Sequence, residues 1–181
     1  WGVDYVLLDE NKKELLPVMA YRDMRTDGIL EEIDGIIERY ELYKRTGVQA
    51  ASFNTIYQLY CDKKSGKLEK AAHFLMMPDY LAYKLTGNMK NEYTIASTGA
   101  IVNTQTKDFD KELLEMLGIK SEIFKELSPP MSVVGNLSDL AKSEIGFDTT
   151  VIFCSSHDTA SAVAACPVGD HGVYISSGTW S

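Results

Sequence analysis

The sequence is poor in cysteine and histidine, and what it lacks narrows its function early. Cys61, Cys154 and Cys166 form an odd set with no Cys-x-x-Cys spacing and no paired histidines. That argues against structural zinc and against a disulfide framework, and it predicts reduced, mostly buried thiols in a cytoplasmic protein. Basic residues are also in the minority, with 18 Lys and Arg against 26 Asp and Glu and a net charge of −8. A nucleic-acid duplex demands clustered cations, and neither a basic tract nor a basic aromatic stripe is present, so no nucleic-acid partner is expected. Small anionic substrates stay admissible, because a local pocket can be positive on an acidic protein. No apolar run approaches the ~18 residues that span a bilayer, so no membrane partner is expected either. The G-x-x-x-x-G-K-[ST] and G-x-G-x-x-G fingerprints are missing, which removes the P-loop and Rossmann readings. A G-x-S-x-G elbow is missing too.

What is present is ordinary for a globular chain: 181 residues, 45% hydrophobic and 24% charged. A chain of this size buries about two-thirds of its unfolded surface. Residues 3–8 read as a short apolar strand, and the polar turn after it predicts a hairpin to a second strand over 17–21. Apolar positions 29, 30, 33, 36, 37, 40 and 43 follow helical spacing and predict one helix that leaves at Gly47. Asn54 is placed to cap the next helix. Pro78 starts another that stops at Gly87. Asp110 opens a fourth that ends at Gly118, and Ser138 caps a fifth that ends at Gly146.

Near residue 148 the character changes. Thr150-Val151-Ile152-Phe153-Cys154 is a continuous apolar run, the pattern of a strand buried on both faces. An alanine-rich helix follows, then a strand over 172–176 that enters the turn Ser176-Ser177-Gly178-Thr179. The class is α/β, with a domain boundary expected at 148/149. The chain opens inside a strand and closes on a turn, so it reads as an internal piece of a longer protein.

Two places can carry chemistry. Asp158 stands between a strand end and a helix start. It suits a helix N-cap, and it equally suits a carboxylate facing a ligand at the carboxyl end of a strand. The two roles are compatible, and the helix N-terminus beside it favours negative charge. His157 can hydrogen-bond a substrate hydroxyl or simply fill the rim of the core. Ser155, Ser156, His157 and Asp158 contain all the residue types of a hydrolytic triad, but neighbours along a strand point to opposite faces and cannot line up as one. The turn at Ser177-Gly178-Thr179 offers backbone N–H groups, hydroxyls and a glycine that allows close approach, as a phosphate cradle would. A plain hairpin has the same composition.

Taken in order, several segments cease to be generic. Trp1-Gly2-Val3-Asp4 is followed by Tyr21-Arg22-Asp23-x-Arg25-Thr26 and by Phe53-Asn54-Thr55-x-Tyr57-Gln58-Leu59. Met77-Pro78-Asp79-Tyr80-x-x-Tyr83-x-Leu85-Thr86-Gly87, Glu92-Tyr93-Thr94 and Ala96-Ser97-Thr98 come next. The series ends with Ser156-His157-Asp158-Thr159-Ala160-Ser161-Ala162-Val163 and Ser176-Ser177-Gly178-Thr179-Trp180-Ser181. This series resembles the FGGY family of carbohydrate kinases.

The resemblance implies two actin-like (ribonuclease H-like) domains with the active site between them. Residues 1–148 would supply the sugar-binding part of the first domain, and 149–181 the opening of the second. It implies transfer of the γ-phosphoryl group from ATP, as its Mg²⁺ complex, to a sugar hydroxyl. Asp158 then matches the catalytic base. Gly2, Asp4, Phe53, His157 and Thr159 match sugar contacts, and Gly178 and Thr179 match contacts to the ATP phosphates. The family's Asp-x-Gly phosphate hairpin and its adenine-binding glycine segment are not among these residues, so the chain alone is expected to turn over little or nothing. A non-catalytic actin-like binding module is the alternative, and oligomeric state is left open.

Overall fold

The computed structural model describes residues 2–169 and 171–178. Its centre is β1, Tyr5–Leu8, every residue of which is buried. It pairs antiparallel with β2, His73–Met76, in the register Tyr5 to Met76 and Leu8 to His73. Side chains alternate across a strand, so a strand covered on both faces reads as an unbroken apolar run. Tyr5, Leu7, Phe74 and Met76 face the main core with Ile29, Ile33, Ile56 and Leu59. Val6, Leu8 and Leu75 face the other way, against Met77, Tyr80 and Tyr83. The aromatic rings of Tyr5, Phe74, Phe124 and Phe109 form a chain through the main core, with centroids 5.2, 4.7 and 4.7 Å apart.

The predicted hairpin to residues 17–21 is not formed. The returning segment makes a bridge between Leu8 and Glu14 and donates Leu15 N to the Leu7 carbonyl at 2.9 Å, but Pro17 has no N–H to extend the pairing, and β2 takes the ladder instead. The single helix expected over 29–43 is two: α1, Ile29–Asp34, and α2, Arg39–Thr46. Gly35 ends the first, and Ile37 is buried between them. Periodicity continues through the break, which is why the sequence conceals it. α3, Thr55–Lys64, has Asn54 at its cap position. α4, Met77–Thr86, carries Pro78 in its first turn and ends on a left-handed Gly87 at φ 77°. These two ends agree with the local signals.

Beyond α4 lie β3, Asn91–Glu92, the short α5, Tyr93–Ala96, and a turn of 3₁₀ helix, Ser97–Gly99. β4, Val102–Asn103, and β5, Asp108–Phe109, pair with each other. Next is α6, Lys111–Met116, capped by Asp110. β6, Leu127–Ser128, runs parallel to β3. β7, Val133–Asn136, precedes α7, Asp139–Ile145, capped by the Ser138 hydroxyl.

β8, Thr150–Ile152, pairs antiparallel with β7. The strand expected to be buried on both faces is instead largely open: Ile152 is 50% exposed and Val133 opposite it 53%. Only Phe153 is buried, against Ala82 and Val134. α8, Asp158–Ala165, has no buried residue. His157 occupies its cap position and Asp158 its first turn, so Asp158 is not the N-cap. Residues 172–176 form no strand and are exposed.

The thiols are free, as expected, but not buried: Cys154 is exposed and Cys61 and Cys166 are half-buried. Among the described residues no helix is long and apolar enough to cross a membrane.

Candidate active site

The residue types singled out around Gly2 and Asp4 sit just before β1, at the end where β2 passes into α4. Met77 N donates to the Asp4 carbonyl at 3.0 Å, so the two strand ends are pinned together. The first turn of α3 grips the same stretch. Thr55 Oγ1 donates to the Val3 carbonyl at 2.8 Å, and Gln58 Nε2 reaches both the Val3 carbonyl, at 3.2 Å, and the Phe53 carbonyl, at 2.8 Å. One amide thereby holds Phe53 beside residues 2–4. Arg25 Nη2 donates to Gln58 Oε1 at 2.8 Å and orients that amide.

Asp4 Oδ1 accepts the Tyr21 N–H at 2.7 Å. The Tyr21 ring packs edge-on to Phe53, with centroids 6.0 Å apart and planes at 75°. Gly2, Asp4, Tyr21 and Phe53 therefore form one half of the site, all of them part-exposed.

The other half is the loop 154–157 and the start of α8. His157 is half-buried and Asp158 exposed. Asp158 Oδ1 accepts the Thr159 N–H at 2.7 Å, and Thr159 Oγ1 lies 3.4 Å from the same oxygen. These residues stand on a loop and a helix start, so the strand geometry expected for Ser155 to Asp158 does not apply to them.

Residues 92–99 join the halves. Thr98 Oγ1 lies 3.1 Å from the Gly2 carbonyl, while Thr94 Oγ1 accepts the His157 N–H at 3.2 Å. Positions four apart on a helical stretch share a face, and this Thr94/Thr98 pair turns two hydroxyls towards the two halves. Neither threonine, nor the fully buried Glu92, was given a role by sequence reasoning, although both segments carry the resemblance. The i, i+4 threonine spacing was the signal available.

Behind them Asp79 is 1% exposed; it accepts from Asn91 Nδ2 at 3.0 Å and from Glu92 N at 3.1 Å. Burial raises its carboxyl to about 7, against the pull of those two bonds.

Gly178 lies on an exposed bend. Thr179 lies outside the described residues, as do Trp1, Asp170, Trp180 and Ser181. Among the described residues, no group of three or more His, Cys, Asp or Glu is placed to hold a metal ion.

The contact between α3 and the 3₁₀ turn is tight. A Cβ on Gly99 would fall 2.6 Å from Thr55 Oγ1 and 2.7 Å from Thr55 Cβ, the residue that holds the Val3 carbonyl. Gly99→Ala is therefore expected to destabilise the chain by ~1–3 kcal/mol, the range for overpacking. Urea unfolding checks it, and an unchanged midpoint would refute the close packing.

Comparison with known proteins adds to this geometry. The profile of the FGGY family of carbohydrate kinases, N-terminal domain, matches residues 1–165. A rhamnulokinase of Oceanobacillus iheyensis is 50% identical, and one of Halalkalibacterium halodurans 47% identical, each over the whole of this chain. The chain spans 39% of the length of both relatives. Among solved structures, the xylulose kinase from Rhodospirillum rubrum superposes with a TM-score of 0.80 at 21% identity, covering 90% of this chain and 35% of that one. At that identity the superposition shows the fold: the actin-like sugar kinase architecture expected from the resemblance.

Proposed function

Because the chain belongs to the FGGY family of carbohydrate kinases, we propose that it is the sugar-contacting part of a kinase that phosphorylates L-rhamnulose with ATP. The product is L-rhamnulose 1-phosphate, a step of L-rhamnose catabolism in the cytoplasm. The names carried by the two relatives favour this ketose. Residues 1–148 belong to the first kinase domain on this reading, and 149–181 open the second.

Phosphoryl transfer asks the protein mainly to position reactants and stabilise charge, with one group to orient and deprotonate the attacking hydroxyl. Asp158 is that group. Its carboxylate accepts the proton of the sugar hydroxyl as the new O–P bond forms and the bond to the β-phosphate breaks, releasing ADP. Gly2, Asp4, Phe53, His157 and Thr159 surround the sugar. Gly178 and Thr179 approach the ATP phosphates, and Mg²⁺ enters with the nucleotide as part of that substrate.

The observation that carries the reading is the shared scaffold. Thr94 Oγ1 accepts the His157 N–H, and Thr98 Oγ1, whose proton is closest to the Ile95 carbonyl at 2.7 Å, lies 3.1 Å from the Gly2 carbonyl, so the proposed sugar-contacting turn and base-bearing loop both meet residues 92–99. The rival is another kinase of the same family, acting on xylulose, fuculose or a similar ketose.

Assay of the intact protein with ATP against L-rhamnulose, L-fuculose and D-xylulose separates the two. The highest kcat/KM is expected for L-rhamnulose. A preference for xylulose would overturn the substrate, and failure to phosphorylate any sugar would overturn the kinase reading. The present chain alone is expected to show no turnover.

A further inference from the structure

Glu92 is fully buried, and a buried carboxylate is costly unless its oxygens are hydrogen-bonded. Here they accept Thr94 N at 2.8 Å, Thr94 Oγ1 at 2.6 Å and Ile95 N at 3.0 Å. Those bonds cap α5. A further bond does something else: Ser156 N donates to Glu92 Oε2 at 3.3 Å, from far along the chain.

The Thr94 hydroxyl extends the arrangement. It has one proton and two lone pairs. The proton goes to Glu92, so the hydroxyl can only accept from its other neighbours. Those are Ser155 Oγ at 3.3 Å and His157 N at 3.2 Å. The carboxylate thus dictates the polarity of the hydroxyl, and together they take up two successive backbone N–H groups immediately before Asp158. On the far side, Ser161 Oγ donates to the Ser155 carbonyl at 2.6 Å and ties the first turns of α8 to the same loop. Asp79 in turn accepts the backbone N–H of Glu92, so the clamp is anchored to the first turn of α4.

We propose that Glu92 and Thr94 are positioning residues that lock the 155–157 backbone and so aim the Asp158 carboxylate at the reacting hydroxyl. The catalytic part of this inference rests on Asp158 being the proton acceptor. Neither residue touches the reacting atoms; each acts through the loop. Misplacement of a reacting group by about 1 Å can cost ~10²-fold in rate, so a loop with two clamped amides is worth building.

Amide hydrogen exchange on the chain measures the clamp directly. The Ser156 and His157 amides are expected to be protected, and to exchange ~3- to 10-fold faster in Thr94→Val, the cost of one ordinary hydrogen bond. Thr94→Ser retains the hydroxyl and keeps the protection. Glu92→Gln, which points an amide donor at N–H groups, loses it. Amides of the β1–β2 ladder report whether a variant is still folded. If Thr94→Val unfolds, the unsubstituted chain decides alone, since unprotected Ser156 and His157 amides there overturn the clamp.

In the intact kinase, Thr94→Val is expected to lower kcat ~10- to 10²-fold with little change in the KM for ATP, and Thr94→Ser to restore it. Full turnover in Thr94→Val alongside an inactive Asp158→Asn overturns the positioning role and leaves the base in place. Full turnover in Asp158→Asn removes the base and with it the catalytic half of this proposal, while the exchange measurement still judges the clamp.

Discussion

Asp158→Asn in the intact kinase lowers turnover by at least ~10²-fold, the lower end for loss of a general base, while sugar binding survives. The substitution is nearly isosteric, and its local structural cost is small. Asp158 is exposed in the first turn of α8, and its bond is to the Thr159 N–H. An asparagine carbonyl oxygen accepts the same bond, so the helix start is preserved. What it cannot do is take a proton from an alcohol. Steady-state kinetics then show a fall in kcat, and calorimetric titration of the sugar shows an affinity close to that of the unsubstituted enzyme. Turnover left intact would remove Asp158 from its role, and a parallel loss of sugar affinity would make it a binding group instead.

The stability of the chain should carry a pH dependence that Asp79→Asn removes. Burial holds the Asp79 carboxyl up at about 7, against 3.8 for the ordinary side chain. The folded state therefore keeps its proton over a range where the unfolded state has already lost it. The sign follows: Asp79's contribution is most favourable below about pH 4, declines as pH rises from ~4 to ~7, and is level above that. At 1.36 kcal/mol per pKa unit the full span is at most about 4 kcal/mol. Asparagine is neutral throughout. Between about pH 5 and pH 8 the urea-unfolding free energy of Asp79→Asn should therefore rise relative to that of the parent by ~2–3 kcal/mol. The asparagine amide also faces Asn91 Nδ2 and forces a local rearrangement. That cost does not vary with pH, so the comparison between the two pH values stays clean. Identical pH profiles would show that another group titrates.

Both sites were partly visible in the residues. The helix ends were legible where a cap or a left-handed glycine acts within a few residues: Pro78 and Gly87 around α4, Asp110 before α6, Ser138 and Gly146 around α7. The continuous apolar run of β1 was legible because burial on both faces leaves no polar position. Asp158, the proposed base, and the Gly2 turn stood out by their motifs, whereas the segment that joins them did not. Glu92 and Thr94 look like ordinary cap residues until the loop 155–157 is folded onto them.

Sequence alone determined what depends on near neighbours: the capped and glycine-stopped ends of α4, α6 and α7, the apolar run of β1, and the family that the ordered motifs define. Tertiary structure alone decided what depends on distant partners. It paired β1 with β2 rather than with the nearby segment 17–21, and it left β8 open beside β7. It also made one buried carboxylate and two threonine hydroxyls the bridge between residue 2 and residue 157. The reason is physical. A cap or a turn is satisfied by groups a few bonds away, but a buried N–H or carboxylate takes whichever partner the packed chain brings within 3 Å or so, and sequence spacing carries no record of that meeting.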